Sequence, residues 1–285
     1  MLDLGAILTA MVTPFDADGA VDEGSAVRLM HHLADHGSDG VVVAGSTGEA
    51  ATLSDEEHAR LVALAVEEMG DRLSIVAGCS SNDTRHAVHL TEQATEAGAD
   101  AILIVTPYYV RPNRRGIVRH YEEVARATDK PIVLYNIPSR TATDMPNDLL
   151  AELAQIDGVE AVKQARYEDL APIDGLQLYA GNDDTLAQVL DLGGPGGILV
   201  ASHIVGDEMR RMVDEPARRH EVDAGLKDVY RALTVTTNPI PVKTAVHMLG
   251  VIDHGTLRLP LVDPDDTERQ TVRAMLERHG LLATA

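Results

Sequence analysis

AILIVTPYY, residues 101–109, opens with five apolar residues and no polar one among them. A strand with one wet face alternates apolar and polar side chains. A strand covered on both faces is apolar throughout, as in a parallel sheet flanked by helices. Similar runs recur on either side of it. GAILTAMV (5–12), GVVVAG (40–45) and LSIVAG (73–78) come before, and PIVLYNIP (131–138), VEAVK (159–163), LQLYAG (176–181) and GGILVAS (196–202) after. That makes eight candidate strands.

Helical spacing fills the gaps. Val27, Met30 and Leu33 share one face of 22–36, with Gly37 as a stop signal. SDEEHARLVALAVEEMG (54–70) begins with Ser54 and has Glu57 three residues later, the pattern of a capping box. Residues 84–97 end at Gly98, and 115–128 precede Pro131. A strand–helix unit of about 30 residues repeated eight times predicts an α/β fold, the (β/α)8 barrel. A doubly wound open sheet would need a glycine fingerprint for a dinucleotide, and none is present. Strand patterns stop near residue 202, and 204–250 and 264–281 read as helices. The expected division is a catalytic barrel over 1–203 and a C-terminal helical region over 204–285. GGPGG (193–197) precedes the last strand, where a tight turn at the barrel's lower end explains it better than phosphate binding.

The formal charge of −21 argues against nucleic acid as a partner, because phosphate binding needs clustered Lys and Arg. Two readings of this acidity stand side by side: adaptation to high salt, or a solvated acidic surface with a coding bias. One cysteine, Cys79, permits no internal disulfide. MLDLGAILTAMVTPF lacks a basic leader, and no apolar run approaches the roughly 20 residues needed to cross a bilayer. A soluble, cytoplasmic protein with no membrane partner is expected.

Active sites of such barrels form where the strands end. Those ends carry Ser46, Thr47 and Glu49, then Tyr108 and Tyr109, then Tyr135 and Arg140, then Lys163, AGND (180–183), and Ser202 with His203. Lys163 stands out, because the chain has only four lysines, at 130, 163, 227 and 243. A lysine at a buried strand end is desolvated, which favours the neutral amine, and a neutral amine can form a Schiff base with a ketone. Tyr135 could then shuttle protons, provided hydrogen bonding brings its pKa down from about 10. Hydroxyls and N–H groups of GSTGE could hold a carboxylate, so an α-keto acid is the substrate these features draw. The plainer readings are a buried ion pair for Lys163, a core tyrosine, a capped turn and a surface arginine. Their coincidence at one end of the barrel favours chemistry. Twelve histidines include no HExxH and no compact ligand set at strand ends, so no metal is expected.

With these residues assembled, the chain resembles the dihydrodipicolinate synthase / N-acetylneuraminate lyase family of pyruvate-dependent class I aldolases. The likeness runs through LTAMVTPFDADGAVD (8–22), GSTGEAATLSDEEH (45–58), VTPYY (105–109), LYNIPSRT (134–141), the lysine strand, NPIPVKTAVHMLG (238–250) and GTLRLPL (255–261). It implies a homotetramer built as a dimer of dimers, with no metal or organic cofactor. By motif, Lys163 forms the Schiff base with pyruvate and Tyr135 is the general acid and base. Ser46 and Tyr109 complete a hydroxyl relay, Tyr109 reaching in from a neighbouring subunit. Thr47 and the backbone of Ile198 bind pyruvate, and Arg140 receives the carboxylate of an aldehyde substrate, aspartate semialdehyde. Ser46 and Gln164 are reminiscent of the lyase branch, whereas Arg140, NPIPVK and GTLRLPL look like the synthases. Condensation of pyruvate with (S)-aspartate 4-semialdehyde is therefore expected, on the route to lysine and diaminopimelate. The alternative is an aldolase of 2-keto-3-deoxy sugar acids or N-acetylneuraminate, and a catalytically idle keto-acid binder is a third reading. Asn82, His58 and Tyr108 match positions that bind lysine in feedback-inhibited members. His86 replaces an acidic residue there, which implies weak inhibition.

Overall fold

The computed structural model describes residues 2–283. Eight parallel strands close into a barrel in chain order: β1 Ile7–Ala10, β2 Gly40–Val43, β3 Ser74–Gly78, β4 Ala101–Val105, β5 Ile132–Asn136, β6 Val159–Gln164, β7 Gln177–Ala180 and β8 Gly196–Leu199. β8 pairs with β1, so no strand edge is left open. Every strand found in the sequence is present, each trimmed by a residue or more except β6, which is one residue longer.

Both faces of the strands are buried, which is why they lack alternation. Leu8, Val42, Val76, Leu103, Val133, Ala161 and Ile198 fill the barrel interior. Their neighbours Ile7, Val41, Ile75, Ile102, Ile132 and Val162 pack beneath the helices. On β6 this parity sends Lys163 inward with Ala161, while Val162 and Gln164 point out. The register sets Lys163 between Tyr135 on β5 and Tyr179 on β7.

The outer layer comprises α1 Glu23–Asp35, α2 Asp55–Met69, α3 Thr84–Glu96, α4 Arg114–Ala125, α5 Pro138–Thr141, α6 Asn147–Leu153, α7 Leu186–Asp191 and α8 Ser202–Asp214. The capping box at α2 is formed, with the Ser54 and Glu57 side chains each accepting the other's backbone N–H. One unit departs from the eightfold repeat. No helix joins β6 to β7; residues 165–176 form an irregular loop. Asp169 and Gly175 adopt left-handed φ there (52° and 86°) and Pro172 lies between them, so a helix cannot propagate. In GGPGG, Gly193 makes the turn at φ 85°, while a Cβ on Gly196 would lie 1.8 Å from the Ala6 carbonyl oxygen.

The helical stretch after β8 is broken more often than its pattern suggested. α8 packs on β1 and α1 and closes the outer ring. α9 Arg219–Gly225, α10 Lys227–Leu233, α11 Ile240–Met248 and α12 Asp266–Arg278 follow. Pro216 and Gly225 interrupt the first half, and TVTTNP (234–239) cannot sustain a helix before α11. This region is tied to the barrel's catalytic end. Lys243 Nζ on α11 donates to Glu49 Oε1 at 2.6 Å, with the side chains 0% and 1% exposed. The Arg258 N–H donates to Glu49 Oε2 at 3.0 Å, and its guanidinium reaches Glu57 and the Thr52 and Gly19 carbonyls. Lys243 and Arg258 both lie against the Phe15 ring, 4.1 and 4.3 Å from its centroid.

Removing one member of a buried pair strands the other charge. Lys243→Met is expected to lower stability by about 3–5 kcal/mol in urea unfolding. Glu49→Gln/Lys243→Met, which leaves no buried charge, is expected to recover most of that loss. A single variant as stable as the parent would contradict this.

Candidate active site

Two cavities meet at the C-terminal end of the barrel and share Ser46, Tyr135, Arg140 and Asn238 on their common wall. One, of about 520 Å³, contains Lys163. The other, of about 460 Å³, runs under the β2–α2 loop towards His58, His86 and Tyr108.

Lys163 is 5% exposed, and its Nζ lies 4.3 Å from the centre of the Tyr135 ring. Burial lowers its pKa to about 7; the charge of Asp183 opposes that shift and the Arg140 guanidinium adds to it. The strand-end carboxylate required by the ion-pair reading is thus present, but desolvation outweighs it. Asp183 is itself anchored, its Oδ1 accepting the N–H groups of Val200 (2.8 Å) and Ala201 (3.0 Å). Burial raises its carboxyl pKa. Tyr179, the other neighbour of Lys163, lines neither cavity and turns its hydroxyl down to the Gly5 carbonyl at 3.1 Å.

Tyr135 requires a correction. Burial pushes its phenol up to about 12, with Arg140 opposing, rather than hydrogen bonding bringing it down. The phenol therefore stays protonated at neutral pH and can act as a proton donor, not as a standing base.

Thr47 is buried, and the Asn238 side-chain amide donates to its Oγ1 at 2.9 Å. A threonine oxygen that already accepts leaves its own O–H free to donate into the cavity. The Asn238 carbonyl also accepts from Arg140 at 3.0 Å, so one residue from beyond the barrel orients two groups of the mouth. Ile198 lines neither cavity. It is wholly buried in the barrel interior, and Val200, two residues further along, reaches the wall instead. Tyr109 stands apart in the single chain, 88% exposed at φ 70°.

Ser202 and His203 turn away from the mouth. Thr9 donates to Ser202 Oγ at 2.7 Å, and His203 accepts the Val12 N–H at Nε2 while Nδ1–H donates to the Val200 carbonyl. Both seat α8 on the barrel. Gln164 faces outward, accepts from the Arg166 N–H at 3.3 Å and touches neither cavity, so its departure from the synthase pattern leaves the pocket wall unchanged. In the second cavity His86 Nε2 is 2.9 Å from Asp55, with His89 3.7 Å from the same carboxylate. Among the described residues, no group of three His, Cys, Asp or Glu side chains is arranged to hold a metal ion.

Asn238, Asp183 and the Glu49–Lys243 pair had no assigned role in the sequence reading. Their only signal was membership in NPIPVK, AGND and GSTGE.

The closed barrel with its buried lysine and hydroxyl-lined mouth is, by its similarity to named synthases, an enzyme of the lyase class. The chain belongs to the dihydrodipicolinate synthetase family, whose model matches residues 3–279. It is 41% identical to the 4-hydroxy-tetrahydrodipicolinate synthase of Moorella thermoacetica, over 98% of this chain and 99% of that one. The Symbiobacterium thermophilum synthase is 40% identical, over 99% and 100%. Among solved structures, the chloride-inhibited dihydrodipicolinate synthase of Acinetobacter baumannii complexed with pyruvate superimposes with a TM-score of 0.94 at 34% identity, covering 98% of this chain and 100% of that one. The Cyanidioschyzon merolae enzyme with lysine bound gives 0.93 at 36% identity, covering 98% and 99%.

The state of Lys163 has a direct readout. Below pH 7 its amine is protonated and cannot attack a ketone. Imine formation with a small keto acid, trapped by cyanoborohydride and followed by intact mass, is expected to rise with pH through a midpoint of about 7 and then level. A rate still climbing near pH 10, as for an ordinary lysine, would refute the depressed value.

Proposed function

We propose that this chain condenses pyruvate with (S)-aspartate 4-semialdehyde to give 4-hydroxy-tetrahydrodipicolinate, through a Schiff base on Lys163. The observation that carries the reading is a lysine desolvated to a pKa of about 7, in one cavity with Tyr135, Thr47 and Arg140. Full-length similarity to named synthases supports it over the sugar-acid aldolases. So does Arg140, because a guanidinium suits a short acidic aldehyde better than a polyhydroxylated sugar.

The neutral amine of Lys163 adds to C2 of pyruvate, the carbonyl oxygen takes up a proton, and water leaves to form the protonated imine. Loss of a C3 proton gives the enamine, whose carbon bonds to the aldehyde carbon as the aldehyde oxygen is protonated. The amino group of the second substrate then attacks the imine carbon, closes the ring and releases Lys163. One water is lost overall, and the sequence calls for neither a metal nor an organic cofactor. The free Thr47 hydroxyl donates to the pyruvate carboxylate, and Arg140 receives that of the aldehyde. Tyr135 carries protons, relayed through Ser46 and through Tyr109 of a second copy.

A homotetramer in the cytoplasm completes the reading. The exposure of Tyr109 beside Val110, and of Leu259 and Val262 (88, 55, 77 and 59%), supports self-association. Among the described residues no helix is long and apolar enough to cross a membrane.

The primary test is turnover of pyruvate with aspartate semialdehyde, coupled to dihydrodipicolinate reductase and read as NADPH loss. Borohydride should inactivate the enzyme only with pyruvate present, modifying Lys163. Arg140→Ala should lose about 2 kcal/mol of transition-state binding, roughly 30-fold in kcat/KM for the aldehyde, while keeping the pyruvate adduct. An adduct-forming enzyme that turns over only sugar-derived aldehydes would transfer the assignment to the aldolases. Lysine is expected to inhibit weakly, since His86 already engages Asp55 in the second cavity. Strong inhibition at low lysine concentration in the same assay would overturn that.

A further inference from the structure

The cavity over Lys163 reverses the charge balance of the chain. The protein carries 45 acidic residues against 24 Lys and Arg. The charged side chains lining this cavity are Arg140, Lys163, Lys227 and Arg231 against Asp183 and Asp184. The excess comes from α10. Its residues Lys227, Tyr230 and Arg231 follow the i, i+3, i+4 spacing of a single helical face and, with Thr234 just after the helix, line the cavity.

Partners separate the free charges from the spent ones. Lys227 is paired with Asp223 at 2.8 Å. Asp183 is held by two backbone N–H groups, and Asp184 accepts from the Tyr167 hydroxyl at 3.3 Å. Many arginines of this acidic chain are ion-paired, among them Arg60, Arg114, Arg210, Arg219 and Arg258. Among the described residues five arginines, Arg111, Arg115, Arg140, Arg231 and Arg269, have no carboxylate within 4 Å, and of these Arg140 and Arg231 line this cavity. Arg140 is engaged by the Asn238 carbonyl, so Arg231, exposed at the outer rim, is the guanidinium of this cavity with no assigned task.

We propose that Arg231 is a capture residue for small carboxylates. It draws the anionic keto acid into the Lys163 cavity past an otherwise repelling surface, before Thr47 and Arg140 engage the substrates. The inference rests on the proposed Schiff-base reading and names a specificity determinant outside the barrel. Such a group acts on encounter, through a field that salt screens, and not on the chemical step.

The test compares Arg231→Gln, Arg231→Glu and Arg231→Lys with the parent enzyme, and with Arg115→Gln, which alters an exposed arginine of α4 outside the cavity. The measured quantities are the second-order rate constant for the pyruvate adduct on Lys163 and kcat at saturation, at low salt and near 1 M NaCl. At low salt, loss of one charge should slow capture about threefold, and reversal about tenfold, since it applies the same step twice. Arg231→Lys and Arg115→Gln should match the parent, and kcat should be unchanged throughout. Near 1 M salt, where the Debye length is about 3 Å, the variants should converge on the parent. Unchanged capture at low salt, or a loss that persists at high salt, would overturn the proposal while leaving the Schiff-base reading intact. A parent enzyme that forms no pyruvate adduct would overturn both.

Discussion

The ion pair between Glu49 and Lys243 is the constraint on which the catalytic end of the molecule depends. Glu49 sits at φ 56°, a left-handed conformation that a non-glycine residue holds only when its surroundings require it. Lys243 and the Arg258 N–H occupy its two carboxylate oxygens, and Thr13 donates to the preceding carbonyl, Gly48 O, at 2.6 Å. The turn that presents Ser46 and Thr47 is thus pinned from below by β1's end and from outside by α11. A buried pair of this kind is weak evidence for net stability, since desolvating both charges offsets most of their attraction. Its effect is on geometry: it holds the loop where Glu49 meets both Lys243 and the Arg258 N–H. The region after the barrel is therefore part of the active-site scaffold.

A second balance sets the chemistry. Lys163 feels Asp183, which favours its ammonium, and low-polarity surroundings, which disfavour it. Burial prevails because Asp183 already spends its Oδ1 on two backbone N–H groups, and because Arg140 opposes a further positive charge. The same burial acts with the opposite sign on the neighbouring phenol: Tyr135 is held protonated while Lys163 is eased towards the neutral amine. One environment favours both a neutral amine and a protonated phenol at neutral pH, the pairing that imine chemistry needs.

Much of this was legible in the chain. The unbroken apolar runs marked strands covered on both faces, and the residues just after them marked the mouth, so Lys163, Tyr135, Thr47 and Arg140 fall around one cavity as expected. The missing helix between β6 and β7 was legible too, in Pro172 and Gly175, but it was overridden by the regularity of the repeat. Ser202 and His203 misled because they also follow a strand, yet the chain turns there into α8 and carries them to the barrel wall. Strand-end position says where the backbone is, and the direction of the next turn decides what the side chain meets.

What the sequence alone determined is whatever depends on local periodicity: the eight strands, the capping of α2 and the set of reactive side chains at one end. What only the tertiary structure decided is which distant groups act on them. Lys243 meets Glu49 across 194 residues, and Asn238 meets Thr47 across 191. Asp183 reaches the lysine's field from the turn after β7, and α10 turns its basic face over the cavity. Even where a face is periodic, as on α10, what it meets is not, because contact between remote segments follows from barrel closure and helix docking, not from the spacing of neighbours. The pKa values of Lys163 and Tyr135 belong to the same class, since desolvation belongs to the assembled cavity and not to any residue in it.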